Sequence, residues 1–316
     1  LVQALFMLPS VREKVFSFEF DADRHGAAET CVPLQLGVLF ARLATSSLHA
    51  LDTRALTASF GWSQAEAFRQ HDVQELLAVL FDALEKYQCD VSSAFSGEMR
   101  PSVRCQSCGY ESARAEAFRD VQLDIGESGS VEDAMRRYVA WERMEGEGTW
   151  KCEQCGARNS AKGCAFTKLP PILTLHLKRF VFDMQTLRRK KLNHRVTFPA
   201  TLDAASLFRP PPLEAGGGEG GDAGGDSDVY ECVGVLVHSG TAHGGHYFAL
   251  LRTGEEAAVA CERPEDAIEA AIEAAAATEA ADGDAEAEWR AAQGLEAPSL
   301  DDQAADGSPT SSSAAA

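Results

Sequence analysis

Two short segments, Cys105-Gln-Ser-Cys108-Gly and Cys152-Glu-Gln-Cys155-Gly, restrict the folds open to this chain more than any other feature. Each is a knuckle able to offer two thiolates to one tetrahedral metal ion, the glycine easing the tight turn beneath it. The 43 residues between the knuckles exceed the usual ribbon spacing. The knuckles are therefore expected at the ends of strands that part and return to each other. Nine cysteines is an odd number with four in these pairs, which fits a reducing compartment and a metal rather than a disulfide framework. Cys105, Cys108, Cys152 and Cys155 are expected to bind one structural Zn2+ in a closed site with no position left for catalysis. Cys31, Cys89, Cys164, Cys232 and Cys261 read as ordinary buried or partly buried thiols. None of the nine is expected at a helix N-terminus, and Cys31, before Val-Pro, reads as extended chain.

Around the knuckles the periodicity changes along the chain. Residues Val2 to Met7 read as an apolar helix stopped near Pro9, Val32 to Leu43 as a second, and Thr53 to Phe60 as a short third. Ser63 to Tyr87 contains a long amphipathic helix with Val73, Leu76, Leu77, Leu80 and Leu84 on one side. From Phe95 short strands take over: Gly97 to Arg104, Phe118 to Ile125, Ile172 to Phe182, Tyr230 to Val237 and Tyr247 to Leu251. Val131 to Tyr138 is a helix with Ser130 as N-cap and Asp133 at its third position. Helices first and strands after make an α+β pattern.

The net charge of −19 is uneven: beyond residue 254, 16 acidic residues face only Arg263 and Arg290. The acidity belongs mostly to this Ala-rich stretch, 255–316, which reads as a largely disordered, low-complexity tail. Nucleic acid is an unfavourable partner for such a chain. Residues 214–228, rich in Gly and Asp, read as a flexible insert between strands. No run of eighteen apolar residues exists, so no membrane helix is expected.

The remaining feature is His238-Ser-Gly-Thr-Ala-His243-Gly-Gly-His246-Tyr-Phe, a turn between two alternating strands. Glycines weaken strand ends, so three of them among three histidines are costly for folding alone. A histidine there, with Gly244 and Gly245 letting backbone or a thin substrate come close, suits a general base.

Five segments in order then carry a family resemblance: Leu1-Val-Gln-Ala-Leu-Phe6, Phe60-Gly-Trp62, Arg69-Gln-His-Asp-Val-Gln-Glu75, Leu169-Pro-Pro-Ile-Leu-Thr-Leu-His-Leu-Lys-Arg-Phe180, and Gly234-Val-Leu-Val-His-Ser-Gly240 through Gly244-Gly-His-Tyr247. With the knuckles between the third and fourth, residues 1–254 resemble the catalytic domain of the ubiquitin-specific proteases, the papain-like cysteine deubiquitinases. The resemblance implies a papain-like hand: helical thumb, mixed palm and zinc-ribbon β fingers over about 95–165. It implies ubiquitin and ubiquitinated proteins as partners, in cytoplasm, nucleus or both. His246 would be the catalytic base, with His238 and His243 weaker candidates. Tyr247 would wall the channel for the ubiquitin tail, and Asp72 and Glu75 would meet that tail and its basic surroundings.

Two departures accompany the resemblance. The family's nucleophilic cysteine would fall about five residues before Leu1, so the sequence reads as a fragment truncated at its front and inactive as given. Downstream of His246, the tryptophan strand and Asn/Asp-Asp turn that orient the imidazole are replaced by Leu250-Leu-Arg-Thr-Gly-Glu-Glu-Ala-Ala-Val-Ala-Cys261. An active deubiquitinase is the first reading. A ubiquitin-binding pseudoenzyme is the alternative, and a zinc-ribbon scaffold without ubiquitin is the third.

Overall fold

In the computed structural model, residues 1–252 are described apart from 49, 63–71, 147–148, 209–227 and 243. The insert expected over 214–228, up to residue 227, and the acidic stretch 255–316 lie outside the described residues, as do Cys261 and His243.

The N-terminal third is helical: α1 (Val2–Phe6), α2 (Pro9–Phe16), α3 (Ala22–His25), α4 (Val32–Thr45), α5 (Arg54–Ser59) and α6 (Val73–Lys86). Pro9 does end α1, as its sequence suggests, but it also opens α2. Proline is tolerated at a first helical position because its missing N–H would be unpaired there anyway. Val11 and Val15 of α2 are buried, and the guanidinium of Arg12 donates to the Phe6 carbonyl at 2.6 Å. Phe40 of α4 is fully buried and meets Phe6 edge-on at 5.4 Å between ring centroids.

The stripe on α6 faces this core through Leu77, Leu80 and Leu84, with Phe81 beside them. Fully burying each such side chain stabilises by about 1.5–3 kcal/mol. Asp72 starts α6 by accepting the Gln74 amide at 2.8 Å, Glu75 in the first turn and Lys86 in the last both suit the helix dipole, and Gln88, with φ of 60°, ends the run.

Strands follow: β1 (Gly97–Cys105), β2 (Glu111–Ala113), β3 (Glu116–Phe118) and β4 (Val121–Leu123). Helix α7 (Val131–Val139) is capped as its sequence predicts, Ser130 Oγ accepting the Asp133 amide at 3.2 Å. Then come β5 (Glu142–Arg143), β6 (Ser160–Lys168), β7 (Leu175–Leu177), β8 (Phe180–Asp183) and β9 (Arg188–Lys191). The chain continues through β10 (Thr201–Asp203), α8 (Ala204–Leu207), β11 (Val229–Glu231), β12 (Gly234–Thr241) and β13 (Gly244–Leu251).

The fingers are one antiparallel sheet of order β2-β1-β6-β5, with β3 also on β1. A second core, built on Val121, Leu123, Ile125, Met135, Val139 and Phe208, lies under β4, α7 and α8. β4 and β7 pair in parallel, and the Ile172 amide donates to the Ala94 carbonyl at 2.9 Å, joining palm to thumb.

The single strand expected from Tyr230 to Val237 is two strands. The strand is interrupted at Cys232 and Val233, so that β11 pairs with β10 while β12 pairs with β13. Alternating hydrophobicity alone does not show a strand changing partners.

Candidate active site and metal cluster

The β12–β13 ladder fixes which side chains share a face. His238 stands opposite Tyr247, and Ser239 opposite His246. Directly opposed residues of an antiparallel pair point the same way, and successive residues point to opposite faces. Tyr247 and His238 therefore share one face, while His246, exposed, shares the other with Ser239. Helix α1 packs against β13. Gly245 is required here: a Cβ would come 2.1 Å from the Ser239 carbonyl oxygen and 2.5 Å from His238 Nε2.

On the first face the His238 ring sits between Tyr247, at 4.7 Å, and Phe180, at 5.1 Å between centroids. Burial, and then the charge of Lys191, hold its imidazole below the ordinary value, with Asp72 pulling the other way. Its Nδ1 is buried without a hydrogen-bond partner. Lys191 Nζ donates to the carbonyls of His238 (2.8 Å) and Gly240 (3.1 Å).

Tyr247 faces the start of α6. Burial raises its phenol above the ordinary value, the charge of Asp72 adds to this, a hydrogen bond from the Val73 backbone amide opposes it, and Glu75 adds a smaller push. The structure thus gathers Asp72, Glu75 and Tyr247 at one place and leaves His246 on the far side of the same strand. Sequence reasoning missed His176 on β7, whose Nε2 is 3.8 Å from Asp72 Oδ1. It stands inside the Leu169–Phe180 motif, so the signal was present. Two acids, a phenol and two imidazoles on one side suit an extended peptide offering backbone amides and a cation.

The expectation that no cysteine stands at a helix N-terminus needs correction, because Cys31 is the N-cap of α4. The following Pro33 is at the second helical position, which tolerates proline, so Val-Pro did not exclude a helix. Cys31 is fully buried nonetheless, and burial raises its thiol above the ordinary value despite the Leu34 amide. Cys89 is buried too, which pushes it up to about 11. Both are the reverse of an activated thiolate.

The four knuckle cysteines converge: Cys105 and Cys155 sulfurs are 3.6 Å apart, as are those of Cys108 and Cys152, and all four lie within 4.8 Å of one another. Sulfurs about 2.3 Å from a shared tetrahedral ion stand about 3.8 Å apart. Each knuckle closes identically. The Gly109 amide donates to Cys105 and the Gly156 amide to Cys152, with φ of 77° and 72°, a conformation few other residues adopt. Cys105 ends β1 opposite Ser160, which begins β6, so the knuckles do sit on strands that part and return. Desolvation raises Cys105, but the amides of Cys108 and Ser107 and the neighbouring thiols outweigh it, bringing it down to about 6. Cys108, although it accepts from the Tyr110 amide, is pushed up to about 12 by desolvation and the surrounding sulfurs. Four thiolates this close need a cation between them, and this set could hold a metal ion.

A helical thumb, a palm of short sheets and a cysteine-pinned ribbon, with the histidine strand against the first helix, define an α+β, papain-like hand. The chain belongs to the ubiquitin carboxyl-terminal hydrolase family, whose model matches residues 1–267. It is 36% identical over 320 residues to ubiquitin carboxyl-terminal hydrolase 47 of Drosophila melanogaster, covering 80% of this chain and 20% of that protein. It is 35% identical to ubiquitin carboxyl-terminal hydrolase 15 of Saccharomyces cerevisiae, covering 81% and 21%. This chain thus spans about a fifth of the length of these relatives. Among solved structures, the SAGA DUB module Ubp8/Sgf11/Sus1/Sgf73 bound to monoubiquitin shares the fold, with a TM-score of 0.67 at 20% identity, over 80% of this chain and 58% of that one. Among the described residues no helix is long and apolar enough to cross a membrane.

Proposed function

We propose that this chain is the main part of a thiol-dependent deubiquitinase domain, acting on the bond after the C-terminal glycine of ubiquitin. The observation that carries the reading is the split of adjacent residues on β13. Tyr247 joins Asp72 and Glu75 on the substrate side, while His246 is exposed on the face shared with Ser239. The ubiquitin-bound relatives in the same fold support it, as do the names of the curated relatives.

In this reading the ubiquitin tail lies along Tyr247 with its cationic side chain toward Asp72 and Glu75. A cysteine thiolate attacks the terminal glycine carbonyl, His246 protonates the departing amine, and water then hydrolyses the thioester with His246 as base. Of the described cysteines, burial raises the thiols of Cys31, Cys89 and Cys164, and four others belong to the metal cluster, so none of these seven is an activated thiolate. The resemblance would place the nucleophile ahead of α1, the helix packed on β13, and residues 1–316 alone are then expected to bind ubiquitin without turning it over. Zn2+ on the four cysteines would cross-link the ribbon, its chemistry structural. The domain would work in cytoplasm, nucleus or both, without nucleic acid. Titration with ubiquitin tests this reading: saturable binding supports it, and no binding by the folded chain rejects it.

A further inference from the structure

The β8–β9 hairpin projects a side-chain set that the folded part of the chain does not use. Its register sets Phe182 opposite Arg189 and Asp183 opposite Arg188. Phe182, Met184 and Leu187 are 55%, 76% and 69% exposed, Leu187 at a tip position with φ of 51°. Beside them Arg188, Arg189 and Lys190 are exposed. Other exposed cations such as Arg54, Arg137 and Arg252 each meet a carboxylate. Among the described residues, Arg188, Arg189 and Lys190 form no salt bridge within 4.0 Å. Asp183 is committed to the turn, accepting the amides of Gln185 and Thr186.

We propose that this hairpin is the docking surface for the acidic segment of the same chain, residues 255–316. Charge is the first argument: the segment carries 16 acidic residues against two basic ones, and the rest of the chain is itself net negative, so a basic strand is a local exception. Pattern is the second. Ile268 and Ile272 stand four apart among Glu265, Asp266, Glu269 and Glu273, apolar residues among acids, while on the hairpin Phe182, Met184 and Leu187 lie beside the bases Arg188, Arg189 and Lys190. Tethering is the third. Lys191 joins β9 to the His238–Gly240 end of β12, and Arg252, just beyond β13, leads into the segment. Ten extended residues span up to about 33–36 Å, more than the roughly 27 Å length of an eight-residue strand. A tethered partner of this kind acts at high effective concentration. The inference does not depend on the ubiquitin reading.

Zero-length carbodiimide cross-linking of the whole 316-residue chain, followed by peptide mapping, tests it. Amide bonds from Lys190 to carboxylates in residues 255–316 are expected within the monomer, well above those from Lys151, Lys162 and Lys168. They should fall several-fold in 0.5 M salt, as screening shortens below about 10 Å, and again in the Arg188→Glu/Arg189→Glu variant, which keeps both lysines. The salt comparison needs no variant, and Phe182→Ser/Met184→Ser gives a second, uncharged one that should also lower the yield. Links spread evenly over the lysines, unchanged by salt, or found only between copies in a dimer would overturn the proposal.

Discussion

Tyr247 and His238 stand directly opposite on the β12–β13 ladder with their rings 4.7 Å apart. This contact turns Tyr247 toward Asp72 and so leaves His246, the next residue before it, to the other face. In the proposed reading, substrate side and base side are separated by one peptide bond.

Binding is where the first consequence shows. Asp72→Asn and Glu75→Gln should each weaken ubiquitin binding about tenfold, since hydrogen bonds to charged groups contribute about 1.5–3 kcal/mol. Asparagine caps a helix as well as aspartate does, so α6 should survive and the thermal midpoint should hold. Calorimetric titration reads this directly, and unchanged affinity in both variants would mean the acids face only solvent.

For the ribbon, metal analysis should give about one zinc per chain, lost on Cys105→Ser or Cys152→Ser. Chelation should lower the thermal midpoint, because metal binding to such a site is folding free energy. A metal-free chain with unchanged stability would remove zinc from the account.

The half-buried His238 makes stability depend on pH. Its folded pKa is lowered by burial and then by Lys191, so the unfolded chain takes up a proton first. The stabilising contribution is full above the unfolded value near 6.5 and is lost as pH falls from there toward the folded value. Between pH 7.5 and 5.5 the natural chain should lose more stability than His238→Gln. Parallel curves for the two would show that the histidine is already solvated.

Gly245→Ala should destabilise by about 1–3 kcal/mol, the usual cost of overpacking. Its Cβ would meet both the Ser239 carbonyl and the His238 ring. A thermal melt decides it, with a full-strength midpoint counting against the close approach.

The thumb was legible in the sequence because α4 and α6 bury one face each and repeat it with helical period; the cap of α7 could be named to the atom from Ser130 and Asp133. The knuckles were legible because paired cysteines with a following glycine have few other uses. Partner choice among strands was not, since Tyr230 and Val237 alternate smoothly while their strands pair differently. The start of α4 at Val32 was legible from its helical spacing, but the role of Cys31 as its N-cap was not. His176 was hidden in an apolar motif, and its meeting with Asp72 joins β7 to the start of α6, far away in sequence.

The central claim is that His246 is the base of a cysteine deubiquitinase. The most direct measurement is turnover of a ubiquitin–fluorophore substrate by this domain joined to the cysteine-bearing segment that the family places before α1, and to its downstream tryptophan strand and Asn/Asp turn. Thiol-dependent activity is predicted, with His246→Ala lowering it on the order of 10⁴-fold, ubiquitin affinity nearly unchanged, and His243→Ala keeping a sizeable share. Activity that survives His246→Ala, or falls equally in both variants with folding intact, would contradict the account.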